Sequence, residues 1–260
     1  MAPDLELALA AADTADRLTL SSFRRSSLAV ETKPDSTPVT EVDRGTESAI
    51  RQLLARESPA DAVVGEEMGR TGSGDRRWVI DPIDGTVNFI RGIPVWATLI
   101  ALEVGGTMDV GVVSAPALGR RWWAQRGHGA FAGAPGRPGA PIRVSGIARL
   151  ADAAVSAAGF GDFPQPERLL SLALKARHQR GFGDFWQHML VAEGAFDIGI
   201  DPVCSLWDNA ALQVIVTESG GKFTDLSGCP RPDGGSAVSS NGLFHDEVIA
   251  VLGGAGGGPE

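Results

Sequence analysis

Trp78-Val79-Ile80-Asp81-Pro82-Ile83-Asp84-Gly85-Thr86 is the stretch around which the rest of the chain can be read. Three apolar residues with strand character run into an acid, a proline, a second acid, a glycine and a hydroxyl. A strand that ends in two carboxylates three residues apart sets hard oxygen ligands at the edge of a sheet, where ligand sites of open sheets lie. Pro82 has no N–H and interrupts the ladder, which leaves the Ile83 carbonyl free to face a cation. Gly85 allows close backbone approach, and the amides of Gly85 and Thr86 suit a phosphate. On its own, Asp-Pro-x-Asp-Gly reads equally well as an ordinary acidic turn. The other acids of the chain decide between the two.

The chain has 260 residues, enough to bury a sizeable core, with 43% hydrophobic and 21% charged residues. A formal charge of −9 argues against a nucleic-acid partner and suits a site that collects cations. The first residues carry no basic segment and no long apolar run, so neither a signal peptide nor a membrane span is expected, and the protein is placed in the cytoplasm. Cys204 and Cys229 are too far apart for a CxxC pair, and two reduced thiols are expected.

Working outward, residues 5–23 are rich in Ala and Leu and predict a first helix with Leu5, Leu9, Ala12, Asp16 and Thr19 on one side. Residues 31–40, with Pro34 and Pro38, predict a loop, after which Thr40-Glu41-Val42-Asp43 opens a second helix. Ala62-Val63-Val64 predicts a strand ending in Gly65-Glu66-Glu67. Runs at 95–102 and 109–113, separated by Gly105-Gly106, predict a hairpin. Further strands are expected at 121–124 and 129–131, then a loop over 133–141. The second half predicts a strand at 153–156, a helix from Pro166 to about His178, and a glycine turn at Gly181-Phe182-Gly183-Asp184. That GxG fragment is too short to mark a nucleotide site. A helix over 185–193, a strand at 196–200 and a helix opened by Ser205-Leu206-Trp207-Asp208 follow. Residues 253–260 are expected to form a mobile, glycine-rich tail.

Asp43, Glu66 with Glu67, Asp81 with Asp84, and Asp208 share one placement: each sits where a predicted strand ends or a helix begins. Any one cluster alone reads as solvated surface. Brought together without cations they would repel and raise each other's pKa values, so convergence requires metal. Oxygen ligands without nearby Cys or His favour Mg²⁺ over zinc. The four histidines show no ligand spacing and read as surface or satisfied core residues. Strand alternation makes one of Trp122-Trp123 core and the other surface.

The order and wording of these motifs resemble the inositol monophosphatase family. The likeness is carried by residues 33–43, Gly65-Glu66-Glu67, residues 78–86, and Trp207-Asp208 followed by Gly220-Gly221. Within the family, residues 89–96, residues 114–118 and Gly183-Asp184 ahead of residues 190–194 are most similar to its histidinol-phosphate phosphatases. The resemblance implies an α+β fold, a layered αβαβα sandwich, formed by one phosphatase domain over residues 1–252 with lobes of about 1–145 and 146–252. It implies that Glu66, Asp81 and the Ile83 carbonyl hold one Mg²⁺, and that Asp81, Asp84 and Asp208 hold a second. A third ion would lie near Glu66, with Glu67 holding one of its waters. Thr86 and Asp43 would orient the attacking water, and the phosphate would meet Gly85 and Thr86.

Arg180, Asp184 and Asp201 are the expected substrate contacts of the histidinol-phosphate branch, although Asp184 could instead cap the helix that follows it. The implied reaction is Mg²⁺-dependent hydrolysis of a small phosphate monoester. Histidinol phosphate comes first, with inositol 1-phosphate or a broader range of sugar phosphates as the alternative. A binding protein that has lost turnover is the remote third. A homodimer with Trp96 and Trp123 near the contact is also expected.

Overall fold

The computed structural model describes residues 3–25, 29–33 and 38–253. The first helix, α1 (Pro3–Ser22), buries Ala8, Ala11, Ala12 and Ala15, small side chains that let it lie close on a sheet. The expected loop at 31–40 instead contains β1 (Val30–Thr32) and β2 (Pro38–Thr40), an antiparallel pair. Proline tolerates the first position of a strand, so Pro38 did not forbid pairing. The rest of that expected loop, residues 34–37, lies outside the described residues. Helix α2 (Glu41–Glu57) begins at Thr40, whose hydroxyl accepts from the Val42 amide.

The large sheet follows: β3 (Ala62–Gly65), β4 (Gly69–Thr71), β5 (Arg76–Asp84), and, after the short α3 (Thr86–Ile90), β6 (Ala97–Val104), β7 (Thr107–Ala115), β8 (Arg120–Gln125), β9 (Ala130–Gly133) and β10 (Ala140–Pro141). Its order is β10-β9-β8-β7-β6-β5-β3-β4. β3 runs parallel to β5, and every other neighbouring pair is antiparallel. Gly105 and Gly106 make the expected hairpin turn with φ of 56° and 78°. Pro82 does not stop β5; the ladder to β6 shifts register between Asp81 and Asp84, a bulge that absorbs the missing N–H. Residues 140–141, expected within a loop, pair with β9.

The second half contributes β11 (Ala154–Ala157), α4 (Pro166–Lys175), β12 (His178–Arg180), α5 (Asp184–Ala192), β13 (Ile198–Asp201), α6 (Leu206–Glu218), β14 (Lys222–Thr224), β15 (Ala237–Ser240) and α7 (His245–Gly253). The helix expected to reach His178 therefore ends at Lys175. Residues 178–180 become an edge strand parallel to β11 because the pairing partner, not local propensity, sets their conformation. The small sheet has the order β12-β11-β13-β15-β14. Gly253 closes α7, and the rest of the expected tail lies outside the described residues.

Three packed clusters fix the layers. Ile50 and Leu54 of α2 pack with alanines of α1 on Trp78 and Ile100, covering one face of the large sheet. On the other face Met189 of α5 and Ile215 of α6 meet Val79, Leu99 and Val113, and Phe223 of the small sheet joins them. Leu169 and Leu172 of α4 and Val248 of α7 close the far side against Val155, Ile198 and Val238. The result is the five-layer αβαβα arrangement. Both sheet faces are covered, so Trp122 is buried in one cluster while Trp123 stacks on Phe131 at the other face. Trp96, expected near a dimer contact, is fully buried against Phe23 and Phe89 and presents no ring to a partner.

Candidate active site

Parallel pairing of β3 with β5 sets Gly65 beside Ile80, so the next residues, Glu66 just past β3 and Asp81 still within β5, lie at the same end of the sheet. The Glu66 amide still donates to the Ile80 carbonyl at 3.2 Å. The bulge then turns Asp84 back into the space beyond the sheet. Helix α6 starts there, where Asp208 in its first turn accepts the Ser205 amide at 2.6 Å. Oxygens of Asp81, Asp84 and Asp208 lie within 4.8 Å of one another.

These acids are buried together at an energetic cost. Burial, then the charges of Glu66, Asp84 and Asp208, pushes the Asp81 carboxyl well above the ordinary carboxylate range. Burial, with Asp184 and Asp208 close by, does the same to Asp84. Burial drives Asp208 up to about 7, against the opposing bond from the Ser205 amide. Among the described residues, no lysine, arginine or histidine forms an ion pair with any of the three. Such an oxygen-only set, mutually repelling and lacking a side-chain counter-charge, fits a hard divalent cation.

Asp43 is fully buried in the first turn of α2. It accepts the Thr40 amide at 2.9 Å and lies 3.2 Å from the Thr86 hydroxyl, which also reaches the Ile83 carbonyl at 2.8 Å. One hydroxyl has one proton, so Thr86 can serve only one of these acceptors at a time. Burial raises the Asp43 carboxyl above its usual value, opposed by the bonds from Thr40 and Thr86. Lys33 reaches both Glu66, at 2.7 Å, and Glu67. Burial works against the lysine's charge, but the two carboxylate bonds outweigh it and raise its pKa.

Gly85 sits at φ 81°, where a Cβ would come within 3.1 Å of the Val95 carbonyl. A side chain is thereby excluded just ahead of the first amides of α3, which have no acceptor inside the helix.

Asp84, Asp184, Asp201, Val203 and Asp208 line one cleft. The alternative that Asp184 caps α5 does not hold. Asp184 sits at φ 51° as the first residue of the helix, and the Phe185 amide donates to Asp84 at 2.7 Å instead. An acid of the large sheet thus caps a helix of the next layer. Asp184 lies 3.3 Å from the Asn88 side-chain nitrogen, and burial followed by the Asp201 charge raises its carboxyl to about 6. Arg180 is exposed on β12, with its guanidinium on the Gln179 carbonyl at 2.7 Å. The described contacts do not bring it to the acids.

One contributor escaped the sequence reading. Glu47, buried on α2, accepts the amides of Glu67 and Met68 at 2.8 and 3.2 Å and so holds the turn that carries Glu66. Its signal was the spacing of four residues from Asp43, which puts both on one helix face. Of the two expectations for the histidines, surface or satisfied core, His188 meets the second, and its partner is Asp201.

A model of the inositol monophosphatase family matches residues 1–254. The histidinol-phosphatase of Mycobacterium tuberculosis is 51% identical over 253 residues, covering 96% of this chain and 97% of that protein. The histidinol-phosphatase of Streptomyces coelicolor is 50% identical over 256 residues, covering 96% of each. Among solved structures, the IMPase of Thermotoga maritima matches with a TM-score of 0.86 at 32% identity, covering 97% of both chains.

Proposed function

The chain belongs to the inositol monophosphatase family, and from that premise we propose that it is a Mg²⁺-dependent phosphatase that cleaves histidinol phosphate to histidinol and inorganic phosphate. Glu66, Asp81, Asp84, Asp208 and the Ile83 carbonyl would hold two or three Mg²⁺ ions, with Glu67 beside the weakest. Bound there, the ions supply a polarised phosphoryl group and an acidified water.

The chain's own residues supply the rest. With the Ile83 carbonyl engaged elsewhere, the Thr86 proton goes to Asp43, 3.2 Å away, and the Thr86 oxygen is left to accept from the attacking water. Asp43 is thereby the orienting base, a role worth roughly 10²–10⁴-fold in typical enzymes. The amides of Gly85 and Thr86 face the transferred phosphate, whose charge spreads over its equatorial oxygens.

The observation that carries the substrate assignment is the second pair of acids, Asp184 and Asp201, in the same cleft as Asp84 and Asp208. Inositol phosphate offers neutral hydroxyls, whereas histidinol phosphate offers an ammonium that forms charge-assisted hydrogen bonds with carboxylates. Identities of 51% and 50% to two histidinol-phosphatases, each over 96% of this chain, support the same choice. Arg180 would join the contacts by swinging from the Gln179 carbonyl. Phosphate release from histidinol phosphate, inositol 1-phosphate and a panel of sugar phosphates, with and without Mg²⁺, tests the assignment. A higher kcat/KM on histidinol phosphate is expected. Equal values on the first two esters would leave only the broader phosphatase, and no Mg²⁺-dependent release from any ester would leave a binding protein. The reading includes a homodimer, checked by light scattering at micromolar concentration.

A further inference from the structure

The carboxylate of Asp201 is built into a chain of side chains that reaches away from the cleft. His188 Nε2 lies 2.9 Å from Asp201 Oδ2, and His188 Nδ1 lies 2.8 Å from Ser239 Oγ. Three elements meet here: His188 stands on α5 one turn beyond Asp184, Asp201 ends β13, and Ser239 lies on β15. His188 and Ser239 are fully buried. The passage between them exists because β13 carries Gly199 at that point. A Cβ there would lie 2.8 Å from Ser239 Oγ and 3.3 Å from His188 Nδ1.

The direction of the chain follows from proton bookkeeping. With Ser239 donating to Nδ1, the imidazole carries a proton on Nε2 and donates it to Asp201. The other tautomer would set the Nε2 lone pair against a carboxylate oxygen, and would leave the Ser239 hydroxyl only the Gly199 carbonyl at 3.5 Å. The Nε2–H thus holds one oxygen of Asp201, Oδ2. Oδ1 is then the oxygen left for a cation arriving in the cleft.

We infer that His188 is a positioning residue for substrate selection: with Ser239 it holds Asp201 so that the carboxylate receives the ammonium of an aminoalkyl phosphate, and so favours such esters over neutral polyol phosphates. This rests on the histidinol-phosphate reading. A histidine that merely filled the core would affect all substrates alike.

The test compares the Mg²⁺-loaded wild type with His188→Phe, His188→Gln, Asp201→Asn and the double variant His188→Phe/Asp201→Asn. Each is assayed on histidinol phosphate and on glycerol 2-phosphate, which has no ammonium. His188→Phe is expected to raise KM for histidinol phosphate about tenfold with kcat within about twofold, and to change glycerol 2-phosphate much less. His188→Gln, which keeps an N–H donor, recovers most of the loss, and the double variant is no worse than Asp201→Asn alone. Parallel losses on both esters, or additive losses in the double variant, overturn the relay while leaving the substrate reading intact. A wild type with equal kcat/KM on the two esters overturns both. Should His188→Phe fail to fold, Ser239→Ala keeps the imidazole and frees its tautomer. A selective KM increase of about threefold on histidinol phosphate is then expected, and none overturns the proposal.

Discussion

Asp81, Asp84 and Asp208 are each held by a backbone amide, from Ile83, Phe185 and Ser205 respectively. Asp184 and Asp201, in the same cleft, are held by side chains, Asn88 and His188. The first group is fixed by the path of the chain and would survive replacement of almost any neighbour. The second can be reoriented by changing one residue elsewhere. A family that keeps one chemistry while varying its ester needs this division: the acids that face the reacting phosphate stay put, and those that face the rest of the substrate are adjustable.

The largest effect expected is on the backbone-held group. Asp84→Asn removes a charge from the cluster but still accepts from the Phe185 amide, so kcat should fall on the order of 10³-fold with little change in thermal stability. Asp84→Ala should lose the same activity and also about 1 kcal/mol for the missing helix cap, read from urea unfolding. Near wild-type turnover in Asp84→Asn would break the comparison, because the charge would then be dispensable.

Gly65→Ala tests whether the path of the chain does the positioning. A Cβ at Gly65 would lie 2.1 Å from Glu47 Oε1, the carboxylate that holds the turn bearing Glu66 and Glu67. The loss should be about 1–3 kcal/mol, with a weakening of Mg²⁺ binding of about tenfold, measured by titration calorimetry.

Acidity sharpens the contrast further. Asp208 is raised on folding to about 7 from 3.8, so its proton is held more tightly in the folded protein. Its contribution to the metal-free protein is fully present below 3.8 and is lost as pH rises through about 7. Metal-free protein should therefore melt lower at about pH 8 than at about pH 5.5, and Mg²⁺ should raise Tm more at the higher pH. Scanning fluorimetry with Mg²⁺ or chelator reads both, and equal Mg²⁺ shifts would count against a cation at these acids. The smallest effect is expected at Arg180. Arg180→Ala should change stability by less than about 0.5 kcal/mol and KM for histidinol phosphate by no more than about threefold, since its guanidinium is solvent-exposed.

Residues 78–86, the hairpin at Gly105-Gly106 and the acids opening α2 and α6 were legible because each signal is local. A strand that runs into Asp-Pro, a glycine pair at positive φ and an acid in the first turn of a helix are dictated by neighbours a few positions away. Local signals also placed Asp43, Glu66, Asp84 and Asp208 at element ends, from which convergence could be inferred, whereas Asp81, expected to end its strand, lies within β5 ahead of the bulge. What no window of sequence carries is which element lies beside which. Residues 178–180 are a strand only because β11 offers them an edge. Asp84 caps α5 only because a helix 101 residues later begins within 2.7 Å of it. His188 serves Asp201 only because Gly199 and Ser239 come from two further strands. Hydrogen bonds and close packing act over a few ångströms of space, and only the folded chain turns distant sequence positions into neighbours at that range.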